Sequence, residues 1–305
     1  MLIRPILLAF FLAGCQEKAP PAPEFDGDQA LAYARTQVDF GPRIPGTEGH
    51  LRMAGWLDSL LRTRADTVVV QAWDHVTADA KTLPMRNYIA RFNPQATTRL
   101  LFLAHWDTRP ISDAAGASDS TAPVPGANDG ASGVAVLLGM ADALKRSPPG
   151  VGVDLLFVDG EDYGDWDASG RPDVLIGSRY YAKNPVPGPQ PRFAVLFDMV
   201  GDAMLQIPKE SYSVTGAPDV VDLVWSTAAR LGYQTTFIDQ QGIATTDDHI
   251  PLQEAGIKAI DLIDFDYGPN NSYWHTPQDT FDKLSARSLK IVGDVAMAVI
   301  REARP

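Results

Sequence analysis

The chain has 305 residues, of which 45% are hydrophobic, and its 38 acidic and 26 basic side chains leave a net charge of −12. An acidic chain lacks the basic surface that nucleic-acid binding requires, so we expect no nucleic-acid partner. Its one cysteine excludes an intramolecular disulfide. Stability must therefore come from a hydrophobic core, which a chain of this size can bury.

The first 24 residues are predicted to lie outside the fold. Residues 1–14 contain one arginine and a short apolar run, which is typical of a signal peptide and too short for the roughly 20 residues of a membrane span. The run ends in a sequence that resembles a bacterial lipobox, so we predict lipidation of Cys15. The alternative is an ordinary signal peptide with an incidental cysteine. Residues 15–24 are proline-rich and suit a flexible tether. We expect a location in the bacterial cell envelope, facing the periplasm or the exterior, with membrane contact only through the lipid anchor.

Residues 25–305 are predicted to form a single domain in which apolar β-type segments alternate with helical patterns. The predicted strands are Val68–Val70, Tyr88–Phe92, Leu100–Ala104, Val153–Val158, Phe193–Phe197 and Ile257–Ile263. The predicted helices include Gly133–Lys145, Asp219–Leu231 and Ala286–Arg301. Strands that are apolar nearly throughout are typical of a buried, mostly parallel sheet with helices on both faces. The prediction is therefore an α/β fold, arranged as a three-layer sandwich.

Three of these strands run directly into polar side chains that can carry chemistry. These side chains are His105 and Asp107 after the third strand, Asp159, Glu161 and Asp162 after the fourth, and Asp198 after the fifth. Open α/β sheets bind their ligands beyond the carboxyl ends of the strands. We therefore expect a site at one edge of the sheet.

Each motif by itself has a simpler interpretation. His105 could be oriented by Asp107, as in many metal sites, or could make an ordinary hydrogen bond at a strand end. Asp129 precedes a predicted helix and suits either a metal or an N-cap. Glu161 and Asp162 could divide the roles of general base and ligand, although acidic loops are common. The residues alone leave these alternatives open.

Together the motifs resemble the family of zinc aminopeptidases and glutaminyl-peptide cyclotransferases, over residues 39–284. Residues 40–50 are similar to the opening segment of that family. Further elements follow in the order of the family, namely His105-x-Asp107, Asn128-Asp129-Gly130, Gly160-Glu161-Asp162, Asp198 and His275-Thr276. The resemblance implies a three-layer fold with zinc at the carboxyl edge of the sheet.

The resemblance also implies roles for individual residues. Asp129, Asp162 and His275 would bind zinc, and Glu161 would be the general acid/base. Asp162 stands where the family more usually has glutamate. Because its side chain is one methylene shorter, the loop that carries it must lie closer to the metal.

The two branches of the family carry out different reactions. In an aminopeptidase, His105 and Asp198 would help to bind a second zinc ion, and Glu161 would activate the water that attacks the first peptide bond. In a cyclotransferase, a single zinc polarises the γ-carbonyl of an N-terminal glutamine, the α-amine attacks it, and ammonia leaves. Glu161 would then transfer the proton, with Asp198 and Asp247 as its hydrogen-bonded supports.

Several details resemble the cyclotransferases more closely. Residues 247–252 are similar to their acid–acid–histidine–Ile–Pro segment, and Trp274 resembles the tryptophan that walls their small substrate pocket. Core packing is the alternative role for Trp274. By contrast, His105, Asp198 and residues 278–280 would suit a two-metal hydrolase.

We therefore predict a monomeric glutaminyl-peptide cyclotransferase that acts on the N-termini of peptides or proteins, with a two-zinc aminopeptidase as the alternative. A lipid-anchored, catalytically silent binding protein is a third reading, favoured if Asp162 cannot reach zinc. A serine hydrolase is excluded because no Gly-x-Ser-x-Gly sequence follows a predicted strand.

Overall fold

The computed structural model describes residues 25–114, 117–170 and 172–304. The predicted signal peptide, the lipidation site Cys15 and the tether lie outside these ranges, so the predictions about anchoring and location stay predictions. Within the described ranges, the helices are all too short or too polar to cross a membrane.

The central sheet has six strands, and a separate parallel pair completes the strands of the described residues. In chain order the strands are β1 (Thr67–Val76), β2 (Thr82–Phe92), β3 (Arg99–His105), β4 (Gly152–Val158), β5 (Ala194–Asp198), β6 (Ile207–Lys209), β7 (Phe237–Gln241) and β8 (Ala259–Ile263). The central sheet has the order β1-β2-β4-β3-β5-β8, and β6 pairs with β7. Strands β4, β3, β5 and β8 are parallel, whereas β1 and β2 are antiparallel additions at one side. Each predicted strand overlaps one of these, so the mostly parallel sheet is confirmed.

Eight α-helices surround the sheet within the described residues. They are α1 (Gly27–Asp39), α2 (Glu48–Arg64), α3 (Ala131–Arg146), α4 (Ile176–Lys183), α5 (Ser211–Gly216), α6 (Pro218–Arg230), α7 (His249–Glu254) and α8 (Ala286–Glu302). The three predicted helices correspond to α3, α6 and α8. Helices α1 and α2 were not predicted, although each begins at a side-chain cap of the expected type: Asp26 accepts from the Gln29 amide and Thr47 from the His50 amide.

Alternate residues of the buried strands contribute to two separate cores. Along β3, Leu100 and Phe102 pack with residues of α1, α2, α3, α6 and α8. Leu101 and Leu103 point to the opposite face and pack with residues that include Tyr181 of α4 and Leu252 of α7. Helices therefore cover both faces of the sheet, and the predicted three-layer sandwich is confirmed.

Helix α3 lies very close to the strands that end at the predicted site. A Cβ atom at Gly133 would lie 2.1 Å from the carbonyl oxygen of Phe197 in β5 and 2.9 Å from the Cβ of Ala104 in β3. Only a residue without a side chain allows this approach. Gly133 therefore fixes how closely the turn before α3 lies to the ends of β3 and β5.

We expect Gly133→Ala to lower the free energy of unfolding by about 1–3 kcal/mol, because the added methyl group overpacks this contact. Gly55→Ala, in the exposed part of α2, is the matched control, because nothing lies within 4 Å of its built Cβ. The control should raise stability by about 0.5–1 kcal/mol, since glycine is unfavourable inside a helix. Urea unfolding measures both, and equal stability of Gly133→Ala and the parent protein would contradict the packing account.

Candidate active site

The ends of β4, β3 and β5 lie side by side and bring their polar side chains to one pocket. His105 ends β3, Glu161 and Asp162 follow β4, and Asp198 ends β5. Two loops complete the site, since Asp129 comes from the turn before α3 and His275 from the segment after β8. The expectation that the strand ends form one site is thus confirmed by the structure.

Asp129 lies at the centre of two groups of possible metal ligands. One of its carboxylate oxygens, Oδ1, lies 3.2 Å from His105 Nε2, and the other, Oδ2, lies 3.6 Å from His275 Nε2. The first group is Asp129, Asp162 and His275, and the second is His105, Asp129 and Asp198. The residues predicted to bind one zinc ion form the first group, and the predicted additional ligands complete the second.

The first group has the dimensions of a zinc site. His275 Nε2 lies 3.4 Å from Asp162 Oδ1 and 3.6 Å from Asp129 Oδ2. Zinc bonds of about 2.0–2.2 Å in a tetrahedron place neighbouring ligand atoms roughly 3.3–3.6 Å apart. Asp162 Oδ2 is buried and has no hydrogen-bond partner, which is costly unless a cation occupies the site. The Asp162 carboxylate thus lies within ligand spacing of His275 through Oδ1, while Oδ2 is the oxygen without a protein partner.

The second group is tighter and has the distances of hydrogen bonds. His105 Nε2 lies 3.2 Å from both Asp129 Oδ1 and Asp198 Oδ1, within the upper range for an N–H donor. Burial alone would lower the pKa of His105, but the neighbouring carboxylates of Asp107, Asp129 and Asp198 outweigh it and hold this pKa well above its ordinary value. A protonated His105 can satisfy these carboxylates without a second ion.

Asp107 does not orient His105 in the way that the sequence suggested. The two side chains are 3.6 Å apart, between His105 Nδ1 and Asp107 Oδ1, and His105 Nδ1 has no hydrogen-bond partner. Instead, the Asp107 carboxylate accepts the backbone N–H groups of Glu161 and Asp162, each at 3.1 Å. It therefore positions the acidic loop after β4 and not the histidine.

The N-cap alternative for Asp129 is wrong in this structure. Gly130 caps α3, with a φ of 102° and without a side-chain hydrogen bond. The backbone N–H of Asp129 is held instead by Asp279 Oδ2 at 3.1 Å, and Tyr267 donates its hydroxyl to Asp279 Oδ1 at 2.7 Å. Asp279, which the sequence placed only in the tail after His275, thus fixes the turn that carries Asp129.

His275 lies in strained backbone and is supported by residues that the sequence analysis did not single out. Its φ of 52° is in the left-handed region, an unfavourable conformation that tends to occur at functional sites. Its Nδ1 lies 2.9 Å from Asp113 Oδ1, and Asp113 also pairs with Arg109. In the sequence, the signal for this support is the pair Arg109 and Asp113, two opposite charges four residues apart that closely follow the His105-x-Asp107 motif.

Glu161 is surrounded by other carboxylates. Burial and the charge of Asp162, followed by that of Asp247, raise its pKa well above the ordinary value. Burial and the charges of Asp198 and Asp248 do the same to the pKa of Asp247. Glu161 and Asp247 are thus both able to hold a proton inside the site.

Trp274 forms part of the wall of the pocket. The cavity has a volume of about 370 Å³, and its lining includes Asp129, Glu161, Asp162, Phe265, Trp274 and His275. The Trp274 indole stacks on the His275 ring with centroids 3.8 Å apart and lies 5.0 Å from the Phe265 ring. It remains half-buried and packs against a small apolar cluster that contains Met199, Ile263 and Tyr267, so it lines the pocket and also contacts a hydrophobic cluster.

The chain belongs to Peptidase family M28, whose family model matches residues 87–300. The matched region contains both groups of possible metal ligands. The structural neighbours of the chain are bacterial glutaminyl cyclases and Zn-dependent exopeptidases, which agrees with the fold and with the resemblance seen in the sequence.

Similar proteins of known structure or name include both kinds of enzyme. The glutaminyl cyclase of Bacteroides thetaiotaomicron, solved with N-acetylhistamine, is 39% identical, with a TM-score of 0.88 over 93% of this chain and 100% of that one. A Zn-dependent exopeptidase of Parabacteroides distasonis is 37% identical, with a TM-score of 0.88 over the same shares. Aminopeptidase YwaD of Bacillus subtilis (strain 168) is 29% identical over 66% of this chain, and the match spans 40% of that relative's length. The chain is thus an M28-family enzyme, and the comparisons leave cyclase and aminopeptidase unseparated.

We expect His275→Ala to bind little or no zinc, because it removes the nitrogen ligand of the first group. His75→Ala is the matched control: His75 is half-buried in β1 and pairs with Asp173 at 2.9 Å, apart from either group of ligands. Elemental analysis after gel filtration gives zinc per chain, and circular dichroism verifies the fold. Full zinc occupancy in His275→Ala would show that this ligand assignment is wrong.

Proposed function

We propose that the protein is a one-zinc glutaminyl-peptide cyclotransferase, which converts the N-terminal glutamine of peptides to pyroglutamate and releases ammonia. The observation that carries this proposal is the difference between the two groups around Asp129. In the first, His275 Nε2 lies 3.4 and 3.6 Å from its carboxylate partners, and in the second, His105 Nε2 lies 3.2 Å from both of its partners, close enough to hydrogen-bond with them. A single ion suits the cyclisation, whereas the aminopeptidase of this family would use two.

The walls of the pocket support the same choice. A cyclase must hold the glutamine side chain curled, so that its γ-carbonyl meets the α-amine, and such positioning is worth several kcal/mol. Trp274, stacked on His275 and next to Phe265, offers a flat apolar surface beside the proposed zinc ligand. That surface suits the methylene groups of glutamine, while the carboxylates on the other side of the pocket suit its amine.

The residues of the chain divide the steps of the reaction. Zinc bound by Asp129, Asp162 and His275 would polarise the γ-carbonyl and make its carbon more electrophilic. Glu161 takes a proton from the α-amine as the new C–N bond forms, and returns one to the amide nitrogen as the old C–N bond breaks. The nitrogen leaves as ammonia, and Glu161 ends in its initial state. Burial and the charge of Asp162 raise the pKa of Glu161, which helps this carboxyl to take up the proton of the amine.

Two neighbouring acids support Glu161 in this role. Asp247 carries a raised pKa, and the charges of Asp247 and Asp162 are among the causes of the raised pKa of Glu161. Asp198 lies 3.2 Å from His105 Nε2, and the charge of His105 in turn favours the ionised form of Glu161. Asp198 and Asp247 therefore adjust the proton affinity of Glu161 without taking part in bond formation.

The two-zinc aminopeptidase is the second candidate, and one observation favours it. His105, Asp129 and Asp198 place three ligand atoms within 4.8 Å of one another, so a second ion has its donors in place. With two ions, Glu161 would activate the attacking water instead of moving the proton of an amine. The metal content and the product distinguish the two candidates.

Glu161→Gln should reduce the rate of cyclisation by about 10²–10⁴-fold, because it keeps the shape of the side chain and removes the proton acceptor. Zinc content should not change, since Glu161 is not among the proposed ligands. Ammonia release from a Gln-initiated peptide measures the rate, and elemental analysis measures the metal. A near-normal rate would refute the proton-transfer role, and loss of zinc would make Glu161 a ligand.

Trp274→Ala should lower the rate of cyclisation far more than it lowers the stability of the fold. A half-buried residue in the pocket wall contributes more to substrate binding than to the core. Trp73→Ala is the matched control: Trp73 stacks on Tyr180 at 3.8 Å in the edge strand β1. Steady-state kinetics with a Gln-initiated peptide and thermal unfolding test both variants. Equal loss of activity in the two variants, or a collapse of stability in Trp274→Ala, would contradict a pocket role.

A further inference from the structure

Arg109 is a buried arginine that contacts one proposed zinc ligand, Asp162, and also Asp113, whose side chain supports another. Its guanidinium is fully engaged on both sides: Nε donates to Asp113 Oδ1 at 2.7 Å, and Nη2 pairs with Asp113 Oδ2. On the other side, Nη1 donates to Asp162 Oδ1 at 3.0 Å. Only 2% of the Arg109 side chain is exposed, so these contacts are shielded from water.

The contact with Asp113 reaches His275. Asp113 Oδ1, which accepts from Arg109, also lies 2.9 Å from His275 Nδ1. A carboxylate at Nδ1 keeps the proton on that nitrogen and leaves the lone pair of Nε2 free to bind a metal. Arg109 binds Asp113 through two nitrogens. It therefore holds in place the carboxylate that orients the His275 ring.

The contact with Asp162 acts on the acidic loop itself. Arg109 Nη1 also donates to the carbonyl oxygens of Asp162 and Gly164, at 3.1 and 2.9 Å. Asp162 Oδ1 is engaged by Arg109 and by Trp166 Nε1, at 3.0 and 3.3 Å, whereas Oδ2 has no protein partner. The loop is thus held close to the site with one oxygen of Asp162 left open.

We propose that Arg109 is a positioning residue that orients two zinc ligands at once, Asp162 directly and His275 through Asp113. By drawing in the loop at Asp162 and Gly164, it allows the short aspartate to reach the ion. The inference rests on the zinc site of the proposed function, and it holds for either reaction. No contact between Arg109 and substrate is required.

Charge and geometry predict opposite effects of removing Arg109, which makes the inference testable. As a cation beside the site, Arg109 repels a metal ion, so a purely electrostatic role predicts tighter zinc binding in Arg109→Met. Arg109→Lys keeps the charge but cannot span Asp113 and Asp162, because an ammonium group lacks the planar fork. A positioning role predicts weaker zinc binding in both variants.

The test measures the zinc dissociation constant by competition with a chromogenic chelator. The proteins are the parent, Arg109→Lys, Arg109→Met and Asp113→Asn, each with the metal removed first. Thermal unfolding of the metal-free forms shows whether a variant that binds zinc weakly is still folded. Arg64→Lys is the matched control, because Arg64 pairs with Asp142 at 3.0 Å between α2 and α3, away from the proposed ligands.

We expect zinc affinity to fall by about 10–100-fold in Arg109→Lys and in Asp113→Asn, as is typical when a partner of a metal ligand is lost. The midpoints of thermal unfolding of the metal-free proteins should change little, and Arg64→Lys should bind zinc with the affinity of the parent protein. If Arg109→Met does not fold, Arg109→Lys decides, because it keeps the buried charge, and Asp113→Asn tests the link to His275 through a side chain that is 34% exposed. Unchanged affinity in the folded variants, or tighter binding in Arg109→Met, would overturn the inference. A parent protein that binds no zinc would instead refute the proposed function.

Discussion

The structure depends on one electrostatic constraint, the burial of many carboxylates at the carboxyl edge of a parallel sheet. The buried acids that line or surround the pocket include Asp129, Glu161, Asp162, Asp198, Asp247, Asp248 and Asp261. A buried charge without a partner costs several kcal/mol, so these groups must be neutralised by protons, by cationic side chains or by a metal ion. Cationic side chains such as Arg109 contact some of these carboxylates, and the two groups around Asp129 have the ligand atoms to hold a metal ion.

The division of the site follows from how each carboxylate is neutralised. Asp162 lies 3.4 Å from His275 Nε2 through Oδ1, and its Oδ2 has no protein partner, so a metal ion would neutralise this carboxylate. Burial raises the pKa of Asp248 to about 7, and burial together with the charges of neighbouring carboxylates raises the pKa of Asp247 and Asp261 as well. Burial and the charges of Asp162 and Asp247 raise the pKa of Glu161 too, which suits a group that moves protons.

The sequence predicted well what depends on local pattern. Continuous apolar segments such as Leu100–Ala104 can only be buried on both faces, so the sheet and the strand-end site followed from them. Asp129 and His275 come from loops, and they were predicted through the resemblance to a family and not from periodicity. The order of those motifs along the chain carried that information.

The parts that were missed depend on contacts between distant segments. Asp107 was read as a partner of His105, two residues away, whereas it accepts N–H groups from a loop more than 50 residues later. Asp279 and Arg109 also act on residues far from them in the chain. Hydrogen bonds to backbone require no particular residue type in the partner, so they leave no pattern in the sequence.

The most direct test of the central claim is mass spectrometry of one peptide that begins Gln-Leu, incubated with protein of measured zinc content. The account predicts one zinc ion per chain and a product that has lost one ammonia molecule while keeping every residue. Release of free glutamine by a protein that holds two zinc ions per chain would contradict it.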